Sequence, residues 1–351
     1  MKQHNKSIRC LFLSDTHLGF DYPLRPRISR RRRGDDFFNN FYRVLKFARD
    51  KRVDFVVHGG DLFFRSKAPQ PVIDKTYQAL YEFVNSGIKV FIVPGNHERS
   101  ILPASLFIAV PNLFIFDRPK RILIEVRGVP VLLDGFPFIR NNIRKHFVSV
   151  VNGLKYEYNN SKIRLLCMHQ AVEGAKVGPK NYTFRDGNDV IRMHDIPCAY
   201  HAVLAGHIHK RQILVKHAHK MNSLIPIIYP GSTERTSFAE KLEEKGFYLI
   251  EFYGNNQNCW KIGKINFIKV PTRPMVDIYL DGNINKQNIE DSILRSIRDL
   301  NPNSILRIKI NDKIDSHTKN KLTGEYLRKI LPESMNYQFV PGTWNNDKIN
   351  Q

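Results

Sequence analysis

The sequence predicts an α/β fold in which layers of β-sheet are covered by helices. Short apolar runs rich in Val, Ile, Leu and Phe recur through residues 8–237, and each is too short to form a helix. Such runs are typical of buried strands, and each of them ends in a polar or glycine-rich loop. The runs are IRCLFL, VDFVVHG, IKVFIVPG, VPVLLDG, IRLLCMH, YHAVLAG and PIIYPG.

Helix-like stretches lie between some of these runs, at residues 37–49, 71–85 and 104–110. In the first stretch several apolar residues fall on one helical face, which favours a helix that packs against a sheet. They are Phe37, Phe41, Val44, Leu45 and Ala48. Strand runs that alternate with helices indicate layers of sheet and helix around shared cores.

The pattern changes after residue 238. The runs GFYLIEF and WKIGKINFIKV predict two strands that complete the first domain, and a VPTRP turn follows them. Beyond the turn, MVDIYL, ILRIKI and MNYQFV predict strands, with helices expected at residues 286–300 and 319–331. We therefore expect a main domain at residues 1–270 and a small α/β domain at residues 271–345.

The composition fits a globular protein with a strongly basic surface. The chain has 351 residues, of which 42% are hydrophobic and 25% are charged, and its net charge is +22. Residues 1–240 carry +18 of that charge, and residues 241–351 carry +4. A field of this sign attracts polyanions such as nucleic acids, although a general bias towards Lys, Asn and Ile would give the same excess.

The sequence contains no apolar run of 18 or more residues, so we expect no membrane span. Its N-terminal apolar run enters a polar motif at once and is interpreted as a first strand, not as a signal peptide. The four cysteines are isolated and form no CxxC pair. We therefore expect free thiols and a reducing cytoplasm as the location.

Polar side chains with metal-binding chemistry follow several of the predicted strands directly. Ligands in α/β proteins gather at the carboxyl ends of strands, so we expect these side chains to share one crevice. In chain order the motifs are SDTHLG with Asp15 and His17, GGDLF with Asp61, PGNHE with Asn96 and His97, MHQ with His169, and AGHIH with His207 and His209.

Carboxylate oxygens and imidazole nitrogens together suit Mn²⁺, Fe²⁺ or Zn²⁺. No cysteine belongs to the set, which argues against a structural zinc site. Eight such groups are too many for one ion, and they suit two ions that share a carboxylate. This arrangement stabilises both the attacking and the leaving oxygen in phosphoryl displacement. Taken alone, each motif is more often an ordinary turn, a polar cap or a buried histidine. Five such motifs in order, each directly after a strand, are hard to produce by chance.

The ordered motifs DxH, GD, GNH[ED], H and GHxH resemble the signature of the calcineurin-like metallophosphoesterases, over about residues 8–235. The resemblance implies a layered β-sandwich flanked by helices, with two divalent metal ions, and Mn²⁺ is the expected metal. It also implies a role for each residue. The first metal would be bound by Asp15, His17 and His209, and the second by Asn96, His169 and His207.

In the same pattern Asp61 would bridge both ions, and His97 would face the substrate as a general acid or charge stabiliser. The two ions would supply a hydroxide that attacks phosphorus in line. Neighbouring Asp residues or carbonyl groups would orient the imidazoles, and Asp195 and Glu98 are candidates.

An arginine-rich loop follows the first motif and points to a phosphate-rich substrate, because arginine binds phosphate in a bidentate manner. Lys210 and Arg211 add positive charge directly after the last motif. A solvated loop without a partner would have the same composition. The loop arginines are Arg25, Arg27, Arg30, Arg31, Arg32 and Arg33.

The segments between the motifs are similar to those of SbcD-type DNA-repair exonucleases. The run Tyr229–Arg235, YPGSTER, is the most diagnostic of them. The C-terminal α/β domain resembles the capping domain of that group, which helps to contact DNA. Phe64 departs from the pattern, because GDLF is usually followed there by His or Asp. End preference or endonuclease ability can therefore differ in this chain.

The resemblance implies DNA as the partner, and it also suggests an SbcC-type coiled-coil ATPase and a homodimer. The short segment GTWNNDKINQ after the last predicted strand argues against a stable ATPase partner. The leading hypothesis is an Mn²⁺-dependent 3′-to-5′ exonuclease for double-stranded DNA, with endonuclease activity as a further expectation. The alternatives are a phosphodiesterase or phosphatase for another phosphoester, and a DNA-binding scaffold with an inactive site.

Overall fold

The computed structural model describes residues 7–21, 32–107, 110–154, 162–218, 223–254, 259–280, 287–311 and 314–344. The chain forms two compact units. The first comprises Met1–Phe20, Gly34–Thr236 and Leu242–Pro271, and the second comprises Asp21–Arg33, Ser237–Lys241 and Thr272–Gln351. The assignment of residues 1–270 as a nuclease domain and 271–345 as a capping domain stays a prediction.

The first unit contains two six-stranded sheets. The first sheet has the order Trp260–Lys269 (β16), Gly246–Gly254 (β15), Ser7–Leu13 (β1), Phe55–His58 (β2), Lys89–Ile92 (β3) and Leu113–Ile115 (β4). The second has the order Gln212–Ala218 (β13), Ser223–Tyr229 (β14), Ala202–Gly206 (β12), Ile163–His169 (β7), Val129–Gly135 (β6) and Lys120–Val126 (β5).

Each sheet contains four parallel strands, with antiparallel strands at one edge of the first sheet and at both edges of the second. In the first sheet β1, β2, β3 and β4 are parallel, whereas β15 and β16 are antiparallel additions. In the second sheet β14, β12, β7 and β6 are parallel, with β13 and β5 as antiparallel edges. All seven apolar runs that predicted strands form strands in these sheets.

The principal core lies between the two sheets. Phe12, Phe55 and Phe91 of the first sheet belong to the same buried cluster as Leu133 and Leu165 of the second. The layered β-sandwich that the family resemblance implied is therefore confirmed. A second buried cluster, which contains Phe147 and Tyr229, covers the other face of the second sheet. The second sheet thus buries apolar side chains on both of its faces.

Helices cover the outer faces of the sandwich. They are Gly34–Asp50 (α1), Gln70–Val84 (α2) and Ile143–Gly153 (α3). The apolar face predicted for α1 is confirmed, because each of its five residues is buried. The predicted helix at 104–110 is wrong in its described part, which forms only a 3₁₀ turn at Ala104–Phe107. Pro111 disfavours a helical conformation at the residue before it.

Four short strands pair outside the two large sheets. They are Ala171–Val172 (β8), Lys176–Val177 (β9), Tyr182–Thr183 (β10) and Val190–Ile191 (β11). These four strands had no counterpart in the sequence prediction, and neither had α3, β4, β5 and β13.

The second unit contains a three-stranded parallel sheet of Met275–Leu280 (β17), Ile305–Asn311 (β18) and Asn336–Trp344 (β19). Its helices are Ile289–Ile297 (α4), Ser316–Lys321 (α5) and Gly324–Ile330 (α6). The predicted βαβαβ order is present, but the helix predicted at 319–331 is two helices. Thr323 separates them because its side chain accepts a hydrogen bond from Tyr326 N at 3.1 Å and caps α6.

None of the helices among the described residues is long and apolar enough to cross a membrane.

The core between the sheets predicts a large cost for truncating its aromatic side chains. Phe91 is fully buried, and its ring stacks on Phe114 with 4.9 Å between the centroids. We expect Phe91→Ala to lower the free energy of unfolding by about 3–5 kcal/mol, because it leaves a cavity. Urea denaturation measures this loss. Tyr81→Ala is the control, since Tyr81 is 45% exposed, and a similar loss in both variants would contradict the expectation.

Candidate metal centre

The parallel strands of both sheets direct their carboxyl ends towards one place. Asp15 and His17 follow β1, Asp61 follows β2, and Asn96 and His97 follow β3 in the first sheet. The second sheet contributes three histidines: His169 ends β7, and His207 and His209 follow β12. The sandwich therefore brings side chains from five strand ends of two different sheets together.

Possible ligand atoms of these residues lie within 4.8 Å of one another in three overlapping groups. The groups are Asp15, His17 and His209; His17, Asp61 and His97; and Asp15, Asp61 and His169. The structure thus gathers every residue of the predicted first-metal set and places Asp61 next to it.

The predicted second-metal set converges on the amide oxygen of Asn96. This Oδ1 atom lies 3.0 Å from His169 Nε2 and 2.9 Å from His207 Nδ1. Asp61 Oδ2 lies 3.4 Å from His169 Nε2 and 3.9 Å from His97 Nε2, so Asp61 stands between the two sets. All eight predicted site residues are therefore close together, and their individual roles stay predictions.

The donor atoms fit divalent metal ions. Asp15 is fully buried, and its Oδ1 atom has no hydrogen-bond partner among the described residues. A buried carboxylate oxygen is costly without a partner. The ring nitrogen His209 Nε2 lies 3.7 Å from this oxygen and 2.9 Å from His17 Nε2. Oxygen and nitrogen donors that converge in this way suit Mn²⁺, Fe²⁺ or Zn²⁺.

Backbone strain is concentrated at the same residues. Asp15, His17, Asp61 and His207 have φ angles of 52°, 45°, 53° and 87°. Left-handed conformations cost a non-glycine residue about 1–3 kcal/mol each and cluster at functional sites. The tight turns at the strand ends impose these angles, and the turns aim the side chains into the shared crevice.

Motif glycines allow the loops to approach each other closely. A Cβ atom on Gly95 would overlap with Asp61 Oδ1, and one on Gly60 would overlap with the His169 ring. The GGD and PGN motifs therefore contain glycine because a neighbouring site residue occupies the space that a side chain would need.

The charges of the site are coupled. Burial alone would raise the pKa of Asp61, but the charge of His169 and its hydrogen bond hold that pKa well below the usual range. Burial alone would lower the pKa of His169, but the Asp61 carboxylate raises it to about 9. Burial lowers the pKa of His207 to about 3. His207 is therefore neutral at physiological pH, the form in which imidazole binds a metal.

Backbone carbonyl groups orient two of the imidazoles. His169 Nδ1 lies 2.7 Å from Gly59 O, and His97 Nδ1 lies 2.7 Å from Phe64 O. A proton on each Nδ1 atom leaves Nε2 to face the site. Carbonyl groups were one of the two expected kinds of support for the imidazoles, whereas the choice of Asp195 and Glu98 for this role is wrong.

The carboxylates of Asp195 and Glu98 have other contacts. Asp195 contacts His194 at 3.1 Å, outside the site. Glu98 is buried and accepts hydrogen bonds from the backbone N–H groups of Phe63 and Gly95, each at 2.7 Å. It therefore holds the loops after β2 and β3 together.

His58 is a buried residue of the site that the sequence interpretation did not single out. Its Nδ1 atom accepts a hydrogen bond from Gly60 N at 3.2 Å, and its Nε2 atom lies 2.9 Å from Thr16 Oγ1. Burial lowers the pKa of His58 to about 3, so it is a neutral link between the loops after β1 and β2. The position of His58 at the end of a predicted strand could have drawn attention to it, but a histidine that binds a metal is expected at the same kind of position.

The residues proposed to contact DNA are only partly visible. Arg25, Arg27, Arg30 and Arg31 lie outside the described residues. Arg33 is only 9% exposed, which argues against its direct contact with a large ligand, whereas Arg32 is partly exposed.

The two basic residues after the last motif have partners within the chain. Lys210 Nζ donates to Asn181 Oδ1 at 2.5 Å, and Arg211 forms an ion pair with Glu244 at 2.8 Å. Both remain candidates for phosphate contact, but Arg211 would have to share its charge with Glu244.

Phe64 borders the site. Its ring centroid lies 5.6 Å from that of His97, 5.9 Å from that of His17 and 4.7 Å from that of Phe20. An apolar aromatic side chain therefore lies directly beside the proposed catalytic histidine, and an effect of Phe64 on end preference stays a prediction.

The contact between Gly95 and Asp61 predicts the effect of a single methyl group. We expect Gly95→Ala to displace the Asp61 carboxylate and to weaken metal binding by about 10-fold or more, as changes around metal ligands do. Calorimetric titration with Mn²⁺ measures the loss. Gly153→Ala is the matched control, because nothing lies within 4 Å of a Cβ atom at Gly153. Equal affinity in both variants would refute this expectation.

Comparisons with known proteins agree with the geometry. Residues 8–211 match the family model of the calcineurin-like phosphoesterases. The chain is 30% identical over 264 residues to the DNA double-strand break repair protein Mre11 of Methanocaldococcus jannaschii. The aligned region covers 72% of this chain and 65% of that relative. It is 24% identical over 303 residues to the protein of that name from Methanococcus maripaludis, covering 82% of this chain and 73% of the relative.

The Mre11 protein of Saccharolobus solfataricus is 25% identical over 299 residues, covering 83% of this chain and 70% of the relative. The chain thus spans slightly less than two thirds of the length of the relative from Methanocaldococcus jannaschii. The matched region contains all five motifs and both sheets of the sandwich except for β13, β14, β15 and β16. The chain belongs to the calcineurin-like phosphoesterase family.

Proposed function

We propose that this protein is a metal-dependent DNA nuclease that acts in double-strand-break repair. The observation that carries the proposal is the convergence of seven oxygen- and nitrogen-bearing side chains around Asp61, at strand ends of two sheets. Family membership supports phosphoester hydrolysis, and the names of the relatives support DNA as the substrate.

Seven residues would hold two divalent ions. We assign Asp15, His17 and His209 to the first ion, Asn96, His169 and His207 to the second, and Asp61 to both. When bound, two such ions supply a hydroxide at neutral pH and stabilise negative charge on the phosphoryl oxygens. We propose Mn²⁺ as the metal, since carboxylate, amide and imidazole donors suit it.

His97 is proposed to act on the substrate. Its side chain is 34% exposed, whereas Asp61 beside it is 2% exposed, so His97 reaches towards solvent. Nδ1 donates its proton to the carbonyl oxygen of Phe64, so Nε2 faces the substrate and can donate a proton from the imidazolium form of the ring. A proton donated from Nε2 to the leaving oxygen would compensate the charge that develops there as the P–O bond breaks.

DNA as the substrate is supported by charge. The first 240 residues have a net charge of +18, and Lys210 lies next to the proposed ligand His209. Basic residues near the metal centre would neutralise DNA phosphates and release counterions. We propose 3′-to-5′ exonuclease activity on double-stranded DNA, with an SbcC-type ATPase and a second copy of this chain as candidate partners.

The nuclease hypothesis predicts a substrate preference. With Mn²⁺ we expect the purified protein to degrade end-labelled duplex DNA and to release nucleotides from the 3′ end. Because counterions are released on binding, the activity should fall steeply as salt rises. Gel analysis of 3′- and 5′-labelled duplexes measures the end from which nucleotides are released and the dependence of the rate on salt. Mg²⁺ is the comparison metal. Efficient hydrolysis of cyclic nucleotides with the DNA left intact would favour a small-molecule phosphodiesterase instead.

The proposed roles predict different losses for two variants. We expect His97→Gln to keep both metal ions and to lower the rate of cleavage by about 10²–10⁴-fold, the usual contribution of a general acid. Asp61→Asn should lose metal as well as activity, because a neutral amide is a poor bridge between two cations. Metal content and single-turnover cleavage separate the two effects. His146→Gln, at an exposed position on α3, is the control, and unchanged cleavage in His97→Gln would exclude the proposed acid.

A further inference from the structure

Lys245 is a fully buried lysine in the first unit, with 0% of its surface exposed. Its Nζ atom donates a hydrogen bond to the backbone carbonyl of His209 at 3.0 Å and lies 2.9 Å from the Glu243 carboxylate. Lysine is almost never fully buried without a partner, since an ammonium group loses its hydration there. A lysine side chain is long enough to reach solvent, but the ammonium group of Lys245 stays inside the protein and contacts the backbone of His209, a proposed metal ligand.

Two further groups converge on the same carbonyl oxygen. Ser232 N donates to His209 O at 3.2 Å. Gly231 has a φ of 77°, and a Cβ atom there would lie 2.5 Å from His209 O. Ser232 also forms an isolated parallel bridge with Ser14, the residue before Asp15. The backbone of His209 is thus enclosed by the YPGSTER run on one side and by Lys245 on the other.

The YPGSTER run is anchored by its own side chains. Arg235 donates through Nε and Nη2 to the carbonyl of Glu243, at 3.2 and 3.0 Å. Glu234 accepts a hydrogen bond from Asn40 at 3.1 Å. Tyr229 Oη donates at 2.9 Å to the carbonyl of Gln170, the residue after His169. These bonds turn the run inwards, towards the loops that carry proposed ligands.

We propose that Lys245 is a positioning residue for the metal centre, and that its buried ammonium fixes His209 as a ligand of the first ion. The inference rests on the ligand assignment of the proposed function and adds the group that holds one ligand in place. The His209 side chain is 25% exposed, whereas Asp15 opposite it is 0% exposed. His209 therefore needs a support from its backbone, because metal ligands bind well only when they are held within about 0.5 Å of their required position.

The chain contains a matched control for Lys245. Lys216 is also buried, at 8% exposure, and its Nζ atom donates to the backbone carbonyls of His194 and Ile196. Neither of these residues is a proposed ligand. Replacing either lysine by methionine preserves most of the side-chain volume and removes a buried ammonium together with its hydrogen bonds to carbonyl oxygens. Only Lys245→Met removes a hydrogen bond from the backbone of a proposed metal ligand.

The test is calorimetric titration of the metal-free full chain with Mn²⁺ alone, without DNA. We expect the wild type to bind two ions. Lys245→Met should bind one of them about 10–100-fold more weakly, the range seen for groups that support metal ligands. The other ion should be unaffected, and Lys216→Met should bind both ions normally even if its melting temperature falls. Equal affinities in wild type and Lys245→Met, or an equal loss in both lysine variants, would overturn the proposal.

A double-mutant cycle separates positioning from general stability. His209→Ala should weaken the same ion, and Lys245→Met should add no further loss in that background, because coupled residues are not additive. Independent, additive losses would contradict the positioning role. If Lys245→Met does not fold, Glu243→Gln is the milder variant. It removes the counter-charge of Lys245, and we expect a smaller loss at the same ion; normal binding of both ions would overturn the proposal.

These measurements also distinguish this inference from the proposed function. A protein that binds two Mn²⁺ ions, loses one in Lys245→Met and leaves DNA intact would retain the positioning role and refute the nuclease. If the wild type cleaves DNA, and wild type and Lys245→Met bind both ions equally well, the nuclease would be retained and the positioning role refuted.

Discussion

Two carboxylates held out of water, Asp15 and Asp61, are the constraint on which the rest of the site depends. They are 0% and 2% exposed at the point where the two sheets meet. A buried negative charge is stable only when positive charge or hydrogen-bond donors surround it. The imidazole of His169 fills that role for Asp61, which raises the pKa of His169. Asp15 is less well compensated, because burial raises its pKa and its Oδ1 atom has no hydrogen-bond partner among the described residues. Divalent cations would satisfy the same charges with a stronger and more compact field.

The surrounding structure holds these groups against their own tendency to relax. Several of the proposed ligands have left-handed backbone angles, and the loops that carry them approach each other so closely that a glycine must stand where a side chain would overlap. Buried polar residues that are not ligands connect the loops: His58 joins the first two, Glu98 the second and third, and Lys245 the loop of His209. The proposed chemistry therefore depends on a layer of polar contacts that holds these loops in a fixed geometry.

Much of the fold could be predicted because its signals are local. Each central strand is a short apolar run, and α1 has a full apolar face, so their patterns are visible in a few residues. The elements that were missed have weaker patterns. In α3 only a narrow stripe of Ile143, Phe147 and Val151 is buried, and on the edge strand β13 Ile213 and Val215 are 38% and 44% exposed. Edge elements meet the core on one side only, so their sequences are less restricted.

The sequence by itself determined the order of strands and helices, the polar residues at the strand ends and the family to which they point. These features are written in residue type and spacing, and they need no knowledge of the partner sheet. Only the tertiary structure decided that Asn96 joins His169 to His207, that Arg33 is buried, and that Lys245 reaches His209 across 36 residues of chain. Contacts of this kind depend on how the two sheets pack, because packing sets which distant side chains become neighbours and which of them leave water.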